Sequence, residues 1–226
     1  IKQALNNSPM RINQYLASCG IGSRRKVEEY IINGQVKING HIALLTDRVN
    51  IAVDQVEYQN KIVEPNNKSI FLFNKPKGVA CSLVSQDDDQ CISDFIPKNY
   101  PVIFPVGRLD KDATGLVLLT NDGDLAQELT HPKFQHEKEY IVEVHGSRVK
   151  LELDQLVQLD QLDKVPLSPF KINFVKISDH QAQFNLILTQ GLNHQIRRMC
   201  DRVGLTVSSI HRIRIGQYEL GDLEAG

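Results

Sequence analysis

One stretch constrains this chain more than any other. An apolar run (Val102, Ile103, Phe104, Val106) leads into Gly107-Arg108-Leu109-Asp110-Lys111-Asp112-Ala113-Thr114-Gly115, and a second apolar run follows from Leu116 to Leu119. The runs read as two buried strands and the segment between them as a tight turn anchored at both ends. Buried strands leave such a turn little freedom, so Asp110 presents a carboxylate on a rigid loop, as nucleophilic or acid/base chemistry requires.

The chain's 226 residues allow one domain of ordinary size and a small one. Its 41% hydrophobic and 23% charged residues are ordinary for a soluble globular protein. No apolar run approaches a bilayer span, and residues 1–11 do not read as a signal peptide. Cys19, Cys81, Cys91 and Cys200 are scattered without a Cys-x-x-Cys pair, which suggests neither a disulfide framework nor a zinc site. A cytoplasmic protein is expected, and Met10 is a candidate start.

A net charge of −1 argues against a nucleic-acid partner until its distribution is considered. Residues 10–40 carry five basic side chains (Arg11, Arg24, Arg25, Lys26, Lys37) against two acidic ones, and residues 191–215 carry five (Arg197, Arg198, Arg202, Arg212, Arg214) against one. The acids gather elsewhere, in Asp87-Asp88-Asp89 and at Glu152, Asp154, Asp160 and Asp163. Two local basic surfaces on a near-neutral protein steer it toward phosphates. Merely solvated faces are the bland alternative.

Residues 10–57 read as a first unit. Ile12, Tyr15, Leu16 and Cys19 recur at helical spacing, and Gly20-Ile21-Gly22 ends that helix. Ser23 is a natural N-cap for a second helix with a Val27, Tyr30, Ile31 stripe, ended by Asn33-Gly34. Val36, Ile38 and Ile42 flank Asn39-Gly40, a strong hairpin signal that argues against a DNA-binding helix-turn-helix. Residues 58–69 read as a linker. Residues 70–226 form a second unit with strands expected at 70–74, 102–106, 116–120, 138–144, 171–177, 181–189 and 206–220, the last bent or broken, and helices at 122–129, 149–159 and 193–203. Most of these strands alternate polar and apolar residues, which predicts an α+β fold with a mostly antiparallel sheet.

Four ordered blocks then resemble the pseudouridine synthase family: Asn74-Lys75-Pro76-Lys77-Gly78, the Gly107-Arg108-Leu109-Asp110 run, Glu137-Lys138-Glu139-Tyr140, and Gln190-Gly191-Leu192-Asn193-His194-Gln195-Ile196-Arg197-Arg198-Met199. The first unit resembles the S4 RNA-binding domain through its Arg-x-Asn-x-Tyr-Leu, Ser-Arg-Arg and Val-x-Ile-Asn-Gly elements, with Gln14 where a lysine is usual. The resemblance is to the ribosomal RNA branch with an N-terminal S4 domain. It covers nearly the whole chain, except for a last strand with Gly-x-Trp-Arg-x-Leu, whose lack reads as truncation. It implies a small helix-helix-hairpin RNA-binding domain followed by a mixed-sheet catalytic domain.

It also implies an isomerase. Uridine becomes pseudouridine when its carbon–nitrogen glycosidic bond breaks, the uracil turns, and the ring rejoins through carbon. No redox change or net hydrolysis occurs, so neither cofactor nor metal is expected. The base must leave its stack, which costs a few kcal/mol, and then be held. The resemblance makes Asp110 the essential carboxylate and sets Arg197 against it, since a buried carboxylate without a partner is costly. Tyr140 would stack on one face of the base and Ile210 would pack on the other. The block at 74–78 is read as mainly structural, and His194 as structural or surface. Arg198, turned about 100° from Arg197 on the helix, is expected to face phosphate or solvent. Arg11, Ser23, Arg24, Arg25, Lys26, Lys37, Arg108, Arg198 and Arg212 form the expected RNA-contacting set, with Arg24, Arg25 and Lys26 at a helix N-terminus that favours phosphate. The expected partner of this monomer is structured RNA, ribosomal and of the large subunit (23S), since the Asn-His-Gln-Ile-Arg-Arg-Met form is shared there. No membrane partner is expected. Two other uses compete: a catalytically idle RNA-binding protein, and a nucleoside or glycoside hydrolase employing Asp110 and Asp112. The joint presence of Asp110, Tyr140 and Arg197 speaks against the first. The lack of a second acid in a recognisable motif and the basic first unit speak against the second.

Overall fold

The computed structural model describes residues 9–85 and 89–226, so Asp87 and Asp88 of the acidic run lie outside the described residues. The chain divides into two compact units, one of residues up to Ser69 with Asn99–Ile103, the other of Ile70–Lys98 with Phe104–Gly226.

The first unit runs β1 (Met10–Arg11), α1 (Ile12–Ser18), α2 (Arg24–Ile32), β2 (Val36–Ile38), β3 (His41–Ile42), β4 (Arg48–Val49), β5 (Val56–Tyr58) and β6 (Lys61–Ile62). Gly20 takes φ +76° between the helices, and the Ser23 hydroxyl accepts from the Lys26 N–H at the start of α2. Asn39 and Gly40, both at positive φ, close the β2–β3 hairpin. Ile12, Tyr15, Leu16, Val27, Ile31, Val36, Val49 and Val56 form the buried core. The segment expected as a linker begins instead as a strand. Glu57 pairs with Ile62 across a Gln59-Asn60 turn, completing a four-stranded sheet in the order β3-β2-β5-β6.

The second unit runs β7 (Ile70–Lys75), β8 (Phe104–Val106), β9 (Thr114–Thr120), α3 (Gly123–Thr130), β10 (Lys138–His145), α4 (Val149–Val157), β11 (Gln161–Leu162), β12 (Val165–Pro166), β13 (Lys171–Ile177), β14 (Gln181–Leu188), α5 (Gln195–Arg202), β15 (Thr206–Ile215) and β16 (Tyr218–Glu219). Its main sheet has the order β13-β14-β10-β15-β9-β7, with β8 on β9 and β16 on β15. Every pairing is antiparallel except β15 with β9, which meet in parallel over His211–Thr114 and Arg212–Gly115. The sheet is therefore mixed and mostly antiparallel, in an α+β fold. Residues 116–119 of β9 are all buried, as an unbroken apolar run predicts for a central strand. The expected break in the last strand falls at Gly216 (φ +54°), where the chain turns back from β15 into β16. No helix among the described residues is long and apolar enough to cross a membrane.

Candidate active site

The loop between β8 and β9 is held from several sides. Gly107 takes φ +68°, and the Ala113 N–H donates to the Asp110 carbonyl at 3.1 Å, closing a turn around Lys111 and Asp112. From the end of β7, the Lys75 ammonium donates to the carbonyls of Pro76 (3.0 Å), Val79 (2.9 Å) and Lys111 (3.1 Å). Lys75 is 0% exposed, so its charge is compensated by these three carbonyl dipoles and by nearby acids. Burial lowers its pKa, and the nearby Cys81, Asp112 and Asp110 oppose that shift without cancelling it. The block read as mainly structural thus places a cation beneath the Asp110 loop.

Asp110 opens into a cleft of about 1120 Å³ lined also by Arg108, Lys138, Tyr140, His194, Arg197 and Ile210. Tyr140 and Ile210 are buried, with only 8% and 4% of their surfaces exposed. On β10, Tyr140 lies opposite Arg212, and Val142 lies opposite Ile210 of β15. Directly opposed residues share a face of the sheet, so Tyr140 and Ile210 stand on the same side, one step apart. A register shift between Glu139 and Tyr140 helps set that aim.

Arg197 does not sit where the resemblance puts it. Its guanidinium meets Asp112 Oδ2 at 2.6 Å, and the partner of Asp110 is His194, with Nδ1 3.4 Å from Oδ2. The side chains of Asp110 and Asp112 are 33% and 54% exposed, so water reaches both and neither bears the full cost of burial. Arg197 instead ties α5 to the same loop two residues downstream. His194 precedes α5 with φ +48° and makes no capping hydrogen bond, which leaves its ring for Asp110. Gln195, the first residue of α5, accepts from the Leu192 N–H through its Oε1 at 2.9 Å, which fastens the loop leading into the helix.

The expected RNA-contacting residues divide. Arg11, Ser23, Arg24, Arg25, Lys26 and Arg108 are exposed. Lys26 pairs with Glu29 at 2.6 Å, and the Lys37 ammonium donates to Asn60 at 3.1 Å, both at the surface. Arg198 bonds the Asn193 carbonyl and Asp163. Arg212 contradicts its expected role, because it is 1% exposed and cannot meet a phosphate. Its Nε donates to the Leu116 carbonyl at 2.7 Å, and its other nitrogens reach the carbonyls of Arg108 and Gly107 at 3.4 and 3.3 Å. His194, read as structural or surface, is half exposed and also reaches Asp110, while Arg197 and Arg212 meet partners other than those expected. The signals for His194 and Arg212 were present in part, since His194 belongs to the last block, and Arg212 alternates with apolar neighbours on a central strand.

Among the described residues no cluster of His, Cys, Asp and Glu could hold a metal. A rigid loop carrying a carboxylate, faced by an aromatic ring and an aliphatic side chain, can grip a planar base and act beside it. Residues 69–202 match the family model of RNA pseudouridylate synthase. The chain belongs to that family. Its members are isomerases, and residues 10–51 match the S4 domain besides. Among relatives of this synthase, a protein of Aquifex aeolicus described as an uncharacterized RNA pseudouridine synthase is 34% identical over 219 residues, covering 96% of this chain and 88% of that one. Ribosomal large subunit pseudouridine synthase B of Bacillus subtilis is 34% identical over 220 residues, covering 96% and 89%. A crystal structure of a pseudouridylate synthase superposes with a TM-score of 0.65 at 29% identity, covering 96% of this chain and 93% of that one.

Proposed function

We propose that this synthase converts a uridine of ribosomal RNA to pseudouridine, that the RNA is that of the large subunit (23S), and that Asp110 is the catalytic carboxylate. The observation that carries the reading is that Asp110 lines the same cleft as Tyr140 and Ile210. Support for the substrate comes from the S4 match and from the similarity to large-subunit synthase B of Bacillus subtilis. The enzyme works in the cytoplasm as a monomer and needs no cofactor.

In this reading the flipped uridine enters the cleft, Tyr140 stacks on one face of the base, and Ile210 packs on the other. Asp110 acts on the nucleotide as the bond from ribose C1′ to N1 breaks. The uracil turns within the cleft, C1′ bonds to C5, the proton of C5 is lost, and N1 gains one. Composition is conserved, and tritium placed at C5 is released into water.

Asp110→Asn keeps the shape and removes the charge. It is expected to abolish tritium release from 23S RNA labelled at C5 while binding that RNA as the wild type does. Turnover by a clean Asp110→Asn preparation would remove Asp110 from this role. Mapping pseudouridines in total RNA from cells lacking the gene identifies the site, and a missing pseudouridine outside 23S RNA would overturn the substrate assignment.

A further inference from the structure

Arg212 is a fully buried arginine whose side-chain partners among the described residues are backbone carbonyls and not carboxylates. Three backbone carbonyls, at Gly107, Arg108 and Leu116, receive its guanidinium, and all three flank Asp110. The first two lie just before the carboxylate, and the third lies just after the loop enters β9. The guanidinium therefore bridges both ends of the turn, and its planar fork has the donors to do so at once. Its Cζ also lies 6.0 Å from the centre of the Tyr140 ring, the distance of a cation over an aromatic face.

The backbone around it is equally specific. A Cβ on Gly115 would fall 2.2 Å from the Arg212 carbonyl oxygen, so β9 and β15 approach as closely as they do only because that residue is glycine. Beside this junction, Thr114 Oγ1 and His211 Nδ1 are 2.8 Å apart. The Lys75 ammonium holds the Lys111 carbonyl from the other side. An arginine desolvated to this degree is costly to keep for packing alone, since a hydrophobic residue would fill the space without that penalty.

We infer that Arg212 is a positioning residue for catalysis: it sets the Asp110 loop and the Tyr140 ring in one geometry and has no part in holding RNA. The inference rests on the reading of Asp110 as the catalytic carboxylate. The loop contacts are to backbone, so any side chain that loses the fork lets the carboxylate drift, and a misplacement of 1 Å can cost about 100-fold in rate.

The test compares Arg212→Met and Arg212→Lys with wild type and with Asp110→Asn, using labelled 23S RNA. Single-turnover rate at saturating RNA, RNA affinity and its salt dependence are measured, with the folded fraction taken from circular dichroism. For Arg212→Met the rate per folded molecule should fall about 100-fold with RNA affinity and salt slope unchanged. Arg212→Lys keeps the charge without the fork and should fall between the two. A purely structural arginine would lower the folded fraction and leave the rate per folded molecule as in wild type, and that result overturns the inference. Weakened binding with a flatter salt slope overturns it as well, because it would make Arg212 a phosphate contact. Should Arg212→Met not fold, Arg212→Lys decides by the same rate criterion. An active Asp110→Asn enzyme would sink the reading of Asp110 itself, whereas an inactive one beside a wild-type rate in both Arg212 variants would sink only the positioning role.

Discussion

The two basic stretches of this chain look alike in the sequence and are placed in opposite surroundings. Arg24 and Arg25 begin α2 with exposed side chains, and Lys26 pairs with Glu29 on the same helix. In residues 191–215, Arg197 meets Asp112, Arg198 meets Asp163, Arg212 meets three carbonyls, and Arg214 meets Glu137 and Glu139. Arg202 is exposed. The difference lies in where the chain brings its acids. Those of the second unit come from distant segments and fold onto its arginines, whereas those of residues 10–40 lie on α2 beside the basic cluster. The same number of basic side chains thus stays open to distant phosphates in one unit and is tied into internal contacts in the other.

The sharpest way to break this contrast is to remove the exposed cluster. Changing Arg24, Arg25 and Lys26 together to alanine should weaken RNA binding strongly at moderate salt. Each lost phosphate contact flattens the plot of log affinity against log salt by about 0.7–0.9, and Lys26 is already engaged by Glu29, so a total reduction of about 2 is expected. The rate at saturating RNA should fall much less. An unchanged slope would mean that the first unit does not hold the phosphates.

Arg214→Met is the complementary experiment. Its Nε donates to Glu139 at 3.0 Å, its Nη2 to Glu137 at 2.9 Å, and its Nη1 to the Gly216 carbonyl at 3.1 Å. Losing it leaves the mostly buried Glu139 without that partner, which should cost about 1–3 kcal/mol in denaturant unfolding. The salt slope of RNA binding should stay as in wild type. A flatter slope with unchanged stability would reverse the assignment of the second basic stretch.

A smaller effect separates the partners of Arg197. A double-mutant cycle in the RNA-free protein should give about 0.2–1 kcal/mol of coupling for Arg197 with Asp112, the range of partly exposed ion pairs. Arg197 with Asp110 should give little. Strong coupling to Asp110 instead would restore the pair that the resemblance implies.

The fold was largely legible because its signals are local. Ser23 caps α2, Asn39-Gly40 closes a hairpin, and the apolar run of β9 is buried from end to end. The hairpins β5–β6 and β11–β12 escaped for a physical reason. They turn on Gln59-Asn60 and Asp163-Lys164, all at positive φ, where side chains such as Gln and Lys are disfavoured and no glycine marks the place. The cleft was legible as a set of residues and less so as a set of contacts. Tyr140 and Ile210 line it from one face of the sheet, because strand alternation fixes which face each side chain takes, and Asp110 reaches it from the β8–β9 loop. Which acid meets Arg197 depends on a loop whose side chains have no such period, so adjacent candidates Asp110 and Asp112 exchange roles without changing any pattern. Arg212 shows the same limit, since a charged residue on a strand reads as surface until the sheet closes over it.

The smallest expected effect tests whether the internal contacts of the second unit answer to pH while the exposed cations do not. Burial lowers the pKa of His211 below its ordinary value of 6.5, and the ring bonds Thr114 at the edge of the Asp110 loop. The neutral form is the one that fits. Above pH 6.5 the ring is neutral whether folded or not, so this contribution to stability is fully present. As pH falls below that value the unfolded chain takes up the proton first, and stability is lost until the folded pKa is passed. His211→Gln should therefore lose less stability than wild type on going from about pH 8 to about pH 5, with the comparison to wild type removing what the other histidines contribute. Urea midpoints at the two pH values provide the measurement. Parallel pH profiles for the two proteins would mean that the imidazole is not held neutral against Thr114, and that the strand junction beside Asp110 is insensitive to protons.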